Sequence, residues 1–264
     1  MSQPEPAPDP SPAVAPERPQ ALHLRPTAEL AERVLLPGDP GRALMLAQAL
    51  ISEPRMFNHH RGLWGYTGAA RADGEPLSIQ STGMGGPSAA IVLSELVELG
   101  ARRAIRVGTC GALAPGLQLG ELVIARESIC HDGCSRALVA AERRLSDRSI
   151  GDPVDLRSVA DPDLTGALIG AAPGAHAGAV VSVDLFYEEN RPVGATGALA
   201  VEMESATLFA LGARARVPVA CVLAVSDTFD AHGTRTRIDD HSLLAASESM
   251  GRAAIAALGN DRCR

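Results

Sequence analysis

The stretch Val34-Leu35-Leu36-Pro37-Gly38-Asp39-Pro40-Gly41-Arg42 decides the fold class of this chain. A short apolar run stopped by turn residues reads as a buried strand. Pro37 to Pro40 form the turn, and the apolar spacing from about Gly41 to Leu50 predicts a helix. Strand, tight turn and helix in immediate succession form the building unit of an α/β fold. The same alternation recurs outward from this point. Apolar runs at Leu77–Thr82, Ala104–Val107, Leu122–Ala125, Ala179–Val183, Leu199–Val201 and Val219–Val225 predict strands. Helical spacing appears at Ser88–Leu99, from about Glu204 to Ala215, and near Ser242–Leu258. The prediction is one α/β domain around a central, largely buried sheet.

Composition agrees and excludes several classes. Among 264 residues 46% are hydrophobic but only 3% aromatic, so Ala, Val, Leu and Ile must build the core. The net charge of −7 opposes a nucleic-acid-binding role, which asks for a basic face. A small anion remains an admissible ligand, because a few local arginines can hold one inside an acidic protein. The five cysteines, Cys110, Cys130, Cys134, Cys221 and Cys263, do not form a disulfide framework. Val217–Val225 is too short to span a bilayer and contains a proline. Without the pattern of a signal peptide, the expected location is the cytoplasm. Residues 1 to about 20 are rich in Pro, Ala and acids and predict a disordered tail, leaving 21–264 as the domain.

Chemistry-bearing residues gather at predicted strand ends. Gly38 would let backbone N–H groups approach an anion at a helix N-terminus, with Arg42 adding charge. A plain Pro-Gly-Asp-Pro turn is the alternative. In Ser81-Thr82-Gly83-Met84-Gly85-Gly86-Pro87-Ser88, the third glycine of a dinucleotide loop falls at Ser88. A tight turn close to a small ligand fits that stretch better. Arg106, within Arg106-Val107-Gly108-Thr109-Cys110-Gly111-Ala112, interrupts an apolar run, so it needs a carboxylate or an anionic ligand. Arg106 and Thr109 could donate to one phosphate, and a structural ion pair is the competing reading.

Val201-Glu202-Met203-Glu204-Ser205-Ala206 places two carboxylates about a methionine where a strand gives way to a helix. Period-two alternation would bring Glu202 and Glu204 to one face. A carboxylate can accept both hydroxyls of a ribose, and methionine offers apolar surface to a sugar ring. Glycosidase acid/base work and an exposed acidic helix start are the alternatives. In Val225-Ser226-Asp227-Thr228, an aspartate with a raised pKa could protonate a leaving base, or simply cap a turn. Cys130-His131-Asp132-Gly133-Cys134 lacks a second ligand pair, so no metal is expected. His59, His60, Arg143 and Arg144 read as solvated surface.

Five stretches in order resemble the nucleoside phosphorylase family: residues 37–42, Arg61-Gly62-Leu63-Trp64-Gly65-Tyr66-Thr67-Gly68, 83–88, 106–112 and 201–206. The likeness runs from about His23 to the C-terminus. It implies a central mixed, partly barrel-like sheet flanked by helices. It also implies that Gly38, Arg42, Arg106 and Thr109 hold phosphate, with Arg61 reaching over from a neighbouring subunit. Glu204 would bind the ribose hydroxyls, with Met203 on the sugar and Glu202 close by. His23 would be lent to the ribose 5′-hydroxyl of a neighbour. A site shared in this way implies a homo-oligomer, a hexamer built as a trimer of dimers. Phe186 would stack on the base beside Ser226, Asp227 would protonate a purine at N7, and Arg237 would engage that acid on closure.

The expected reaction is therefore phosphorolysis, with inorganic phosphate as co-substrate and no cofactor. Ser182-Val183-Asp184-Leu185-Phe186-Tyr187 and Ser226-Asp227 resemble the purine branch. Glu188-Glu189-Asn190-Arg191 lacks the Gln-x-Arg of the uridine branch, while Glu204-Ser205-Ala206-Thr207-Leu208 and the Gly108-Thr109 step resemble that branch. The segments 190–200 and that after Asp227 are short for the family. Uridine phosphorolysis, a water-using nucleosidase and a non-catalytic nucleoside-binding protein are the alternatives.

Overall fold

Strand β1 (Arg33–Leu36) is wholly buried, as a continuous apolar run requires. It delivers the chain into helix α1 (Pro40–Leu50), whose first turn is set by Pro40 and capped by Asp39, the side chain accepting from Arg42 N. The computed structural model describes residues 21–145, 156–187, 197–230 and 232–259, without the side chains of 142–145. The expected N-terminal tail and the 188–196 stretch lie outside these residues.

After α1 come β2 (Ile51–Asn58), a 3₁₀ turn at His60–Gly62, β3 (Gly65–Ala70), β4 (Pro76–Gln80), α2 (Gly86–Leu99) and β5 (Arg103–Ala112). They are followed by β6 (Leu122–His131), α3 (Gly133–Leu145), β7 (Arg157–Val159), α4 (Pro162–Ala171) and β8 (His176–Val183). The chain then forms β9 (Ala200–Glu202), α5 (Ser205–Ala215), β10 (Val219–Phe229), β11 (Arg235–Arg237) and α6 (Asp240–Leu258).

The strands join one mixed sheet ordered β11-β10-β6-β8-β9-β5-β1-β4-β3-β2, with β7 beside β6. Because β10 also pairs with β5, strands β10, β6, β8, β9 and β5 close into a ring. This single α/β domain with a barrel-like sheet is the architecture that the resemblance implies. Alternation along the strands divides the core. Leu35, Ile105, Val107 and Val222 pack with α1, α4 and α6, whereas Val34, Leu36, Ala104, Cys221 and Leu223 pack with α2 and α5.

Two of the strands extend well past their apolar runs. β5 continues through Thr109 to Ala112, and β10 continues through Ser226 and Asp227 to Phe229, with a register shift between Val225 and Asp227. Polar residues therefore sit on paired strand backbone rather than in loops. β2, β3, β7, β11 and α4 had no counterpart in the apolar pattern. β2 carries Pro54 and alternating charges, which an edge strand tolerates, and β11 is three exposed residues.

Candidate active site

Gly38 leaves β1 and faces two other segments of the chain. A Cβ at Gly38 would lie 3.3 Å from the carbonyl oxygen of Gly83 and 4.0 Å from Arg106 Nη1. Gly83 and Gly85, in the turn before α2, have φ of 72° and 84°, which side-chain-bearing residues rarely adopt. This turn brings the Gly85 N–H within 2.6 Å of Glu204 Oε1. Turns distant in sequence thus meet at Arg106, and 83–88 is a tight turn whose backbone approaches Glu204.

Arg106 is 4% exposed. Its Nη2 donates to Glu204 Oε2, and its Nε lies 3.3 Å from Glu202 Oε2 but out of line for a hydrogen bond. Nη1 also makes no hydrogen bond. Gly108 follows at i+2 on the same face of β5, where a Cβ would fall 2.9 Å from the guanidinium carbon. The Arg-x-Gly spacing therefore lets the guanidinium lie flat on its own strand. Burial acts to lower the Arg106 pKa, but Glu204 and Glu202 more than compensate and hold the guanidinium above its ordinary value. Arg42 is pulled below its ordinary value, first by burial and then by repulsion from Arg106 and Arg237, with Asp39 and Glu204 opposing. Arg42 and Arg106 consequently share one electrostatic neighbourhood. Thr109 is half-buried inside β5, three residues beyond Arg106.

The two glutamates converge as expected, but the geometry differs from simple alternation. β9 ends at Glu202, and Glu204 is already the N-cap residue of α5. Both are 4% exposed, which removes the exposed-helix-start alternative. Glu202 accepts from Glu204 N at 2.9 Å, from Ser205 N at 2.9 and 3.0 Å, and from Ser182 Oγ. It caps α5 through its carboxylate. Glu204, held by Gly85 N and Arg106, has its pKa raised by burial and by Glu202, against the opposing charge of Arg106. Met203 between them is half-buried against Ile129, Val181 and Val201.

At the other end, Asp227 lies on β10 with 5% exposure. Ser226 Oγ is 2.7 Å from Asp227 Oδ2, and Arg235 Nε donates to Oδ1 at 2.6 Å. Arg237, the arginine singled out from sequence, is more distant, its Nη1 being 3.6 Å from Oδ1. Arg235 was not identified from sequence. Its guanidinium also stacks 4.6 Å from the ring centroid of Phe186, which is 41% exposed just beyond β8. One cation thereby bridges the candidate base-stacking ring and the candidate acid. Burial alone would raise the Asp227 pKa, but Arg235, Ser226 and Arg237 lower it below the usual carboxylate range. That direction is opposite to the one an acid requires, and Arg235 is its principal cause.

His23 and Arg61 stand apart from this cluster. His23 Nδ1 is 2.6 Å from Glu95 Oε1 on α2. Arg61 is exposed in the 3₁₀ turn with φ of 59°, a left-handed conformation that costs a non-glycine residue energy. Among the described residues, no hydrogen bond or ion pair joins either to Arg42, Arg106, Glu204 or Asp227. Asp132, in the Cys-His-Asp-Gly-Cys stretch, accepts from Ser135 N at 2.7 Å at the start of α3. Among the described residues, no group of three or more His, Cys, Asp or Glu side chains could hold a metal ion. No helix there is long and apolar enough to cross a membrane.

Comparison with known proteins identifies the family. The family model of the phosphorylase superfamily matches residues 32–258. A DeoD-type purine nucleoside phosphorylase from Oceanobacillus iheyensis is 34% identical over 209 residues, covering 75% of this chain and 83% of that protein. Its counterpart from Geobacillus kaustophilus is 36% identical over 205 residues, covering 76% and 83%. A third, from Bacillus thuringiensis, is 35% identical over 208 residues, covering 75% and 83%. With its closed mixed sheet, its glycine turns meeting at a buried arginine and a match along most of its length, the chain belongs to the phosphorylase superfamily.

Proposed function

We propose that this protein catalyses phosphorolysis of purine nucleosides, releasing the free base and ribose 1-phosphate. The observation that carries the reading is the Arg106 guanidinium. It is buried, ion-paired on one side, and presents an Nη1 without a hydrogen-bond partner toward the Gly38 turn. An unpaired buried donor is costly, and an oxyanion there would satisfy it together with Arg42 and the backbone of Gly38. Arg61 from a neighbouring subunit and Thr109 complete this phosphate site in our reading. The purine preference draws on the relatives named DeoD-type purine nucleoside phosphorylase.

In this mechanism, phosphate attacks C1′ as the glycosidic bond lengthens, and its charge stabilises an oxocarbenium-like ribose. Glu204 accepts the ribose hydroxyls, with Met203 against the sugar. The base stacks on Phe186 beside Ser226, and Asp227 supplies the proton that neutralises the leaving purine. Arg235 must release Asp227 first, because its hydrogen bond and charge contribute most to holding that carboxyl below its ordinary pKa. No cofactor takes part, since inorganic phosphate is the co-substrate. His23 contacts the ribose 5′-hydroxyl of a neighbouring subunit, so the working form is a homo-oligomer, a hexamer assembled as a trimer of dimers. A cytoplasmic location accords with Cys110, Cys130, Cys134 and Cys221 being free thiols.

Base release from adenosine and inosine, measured with and without inorganic phosphate, tests this reading. Release should depend on phosphate and yield ribose 1-phosphate in equal amount. Equal rates in its absence, with free ribose as product, would establish a nucleosidase instead.

A further inference from the structure

Glu95 is a buried carboxylate that the mechanism above does not use. It projects from α2, whose neighbouring residues are mainly apolar, and receives an unusual number of donors. Leu22 N and His23 N approach Oε1 at 3.1 and 3.0 Å, while His23 N and Leu24 N approach Oε2 at 3.0 and 2.7 Å. The His23 ring adds its Nδ1 at 2.6 Å. One side chain thus holds three successive backbone amides and the imidazole they carry. Burial alone would raise the Glu95 pKa, but the donors from His23, Leu24 and Leu22 lower it below the ordinary range. The group is therefore a carboxylate, which only accepts hydrogen bonds.

That assignment determines the imidazole tautomer. Facing a pure acceptor, Nδ1 must carry the proton, and Nε2 of the neutral ring is then an acceptor. Asn58, fully buried, fastens the continuation of the same strap. Its Oδ1 accepts from Arg25 N at 2.9 Å, and its Nδ2 donates to Leu63 O at 2.5 Å. His60 Nδ1 lies 3.0 Å from His23 O. The His23 strap and the turn carrying Arg61 are consequently tied into one unit.

We infer that Glu95 is a positioning residue that holds His23 with Nε2 as an acceptor, and so selects nucleosides with a free 5′-hydroxyl over 5′-deoxy and 5′-thioether analogues. This rests on the reading that His23 meets the ribose 5′ end. A hydroxyl can donate to Nε2, whereas a methyl or thioether substituent cannot and leaves the nitrogen unpaired.

The test compares kcat/KM for adenosine and 5′-deoxyadenosine in the wild type, His23→Ala, Glu95→Gln and Glu95→Asp. A ratio of two substrates on one preparation is independent of the fraction folded, so partial destabilisation does not distort it. Glu95→Asp serves should Glu95→Gln not fold. His23→Ala should bring the ratio close to one, and either Glu95 variant should lower it by about tenfold, mainly through KM for adenosine. A wild-type ratio in both Glu95 variants, with the ratio lost in His23→Ala, overturns the role of Glu95 alone. A wild-type ratio in His23→Ala overturns the placement of His23 and this inference with it, while leaving phosphorolysis intact.

Discussion

The two ends of the candidate site are built on opposite plans. At the end proposed for phosphate and ribose, Arg106, Glu202 and Glu204 are almost fully buried on β5, β9 and the start of α5. Glu202 accepts four close contacts from its surroundings, and Glu204 is gripped from two directions. At the end proposed for the base, Asp227 is met by two arginines of the exposed edge strand β11, one of which, Arg235, also stacks on the half-exposed Phe186 after β8. The first end is preorganised by packing, so its geometry costs little to maintain during reaction. The second rests on exposed side chains that can exchange partners. An enzyme that must bind a constant phosphate and ribose, then protonate a departing base, has reason to be rigid at one end and adjustable at the other.

The sharpest way to break this contrast is at Arg106. Arg106→Met leaves Glu202 and Glu204 buried without their cation, and losing one partner of a buried pair costs about 3–5 kcal/mol. Chemical denaturation should register that loss together with the disappearance of phosphate-dependent turnover. A stable, active Arg106→Met protein would show that the rigid end is not organised around this cation.

Asp227→Ala tests the other end. Turnover of purine nucleosides should fall by roughly 10²–10⁴-fold, while phosphate binding measured by calorimetry stays near that of the wild type. Near-normal turnover would remove Asp227 from the acid role.

A finer measurement separates the two arginines on β11. Arg235 contributes most to holding Asp227 below its ordinary pKa, so Arg235→Ala should move that pKa upward. The pH below which Asp227 carries its proton rises accordingly. The alkaline limb of kcat/KM should therefore shift to higher pH. Arg237→Ala, removing the cation at 3.6 Å rather than 2.6 Å, should shift it less. The sign for stability is the reverse. The paired Asp227 carboxylate stabilises the fold above its unfolded pKa, near about 4, and that contribution vanishes as pH falls through the lower folded value. Equal shifts from both substitutions would show that Asp227 responds to the charge of the whole edge rather than to one contact.

Legibility in the sequence followed the same division. β1, α1, β4, α2, β10 and α6 were readable because their apolar spacing states which face is buried. Glu202 and Glu204 were readable as a pair because two carboxylates at a strand-to-helix junction are an unusual cost. β2, β3 and β11 were not readable, since edge and glycine-rich strands carry little apolar pattern. Arg235 escaped notice for a related reason. Across β10 and β11, Asp227 is directly opposed to Arg237, yet the closer contact comes diagonally from Arg235, two residues away on the same face.

The amino-acid order by itself determined which segments alternate strand with helix and which residues bring charge into apolar surroundings. Both are properties of a few neighbouring residues and of the cost of burying them. Tertiary structure alone decided that the sheet closes through β5 and β10, which Arg106 nitrogen has no partner, and which arginine reaches Asp227. Those outcomes depend on strand register and side-chain reach between segments that the chain order does not bring together, where a shift of two positions exchanges one partner for another.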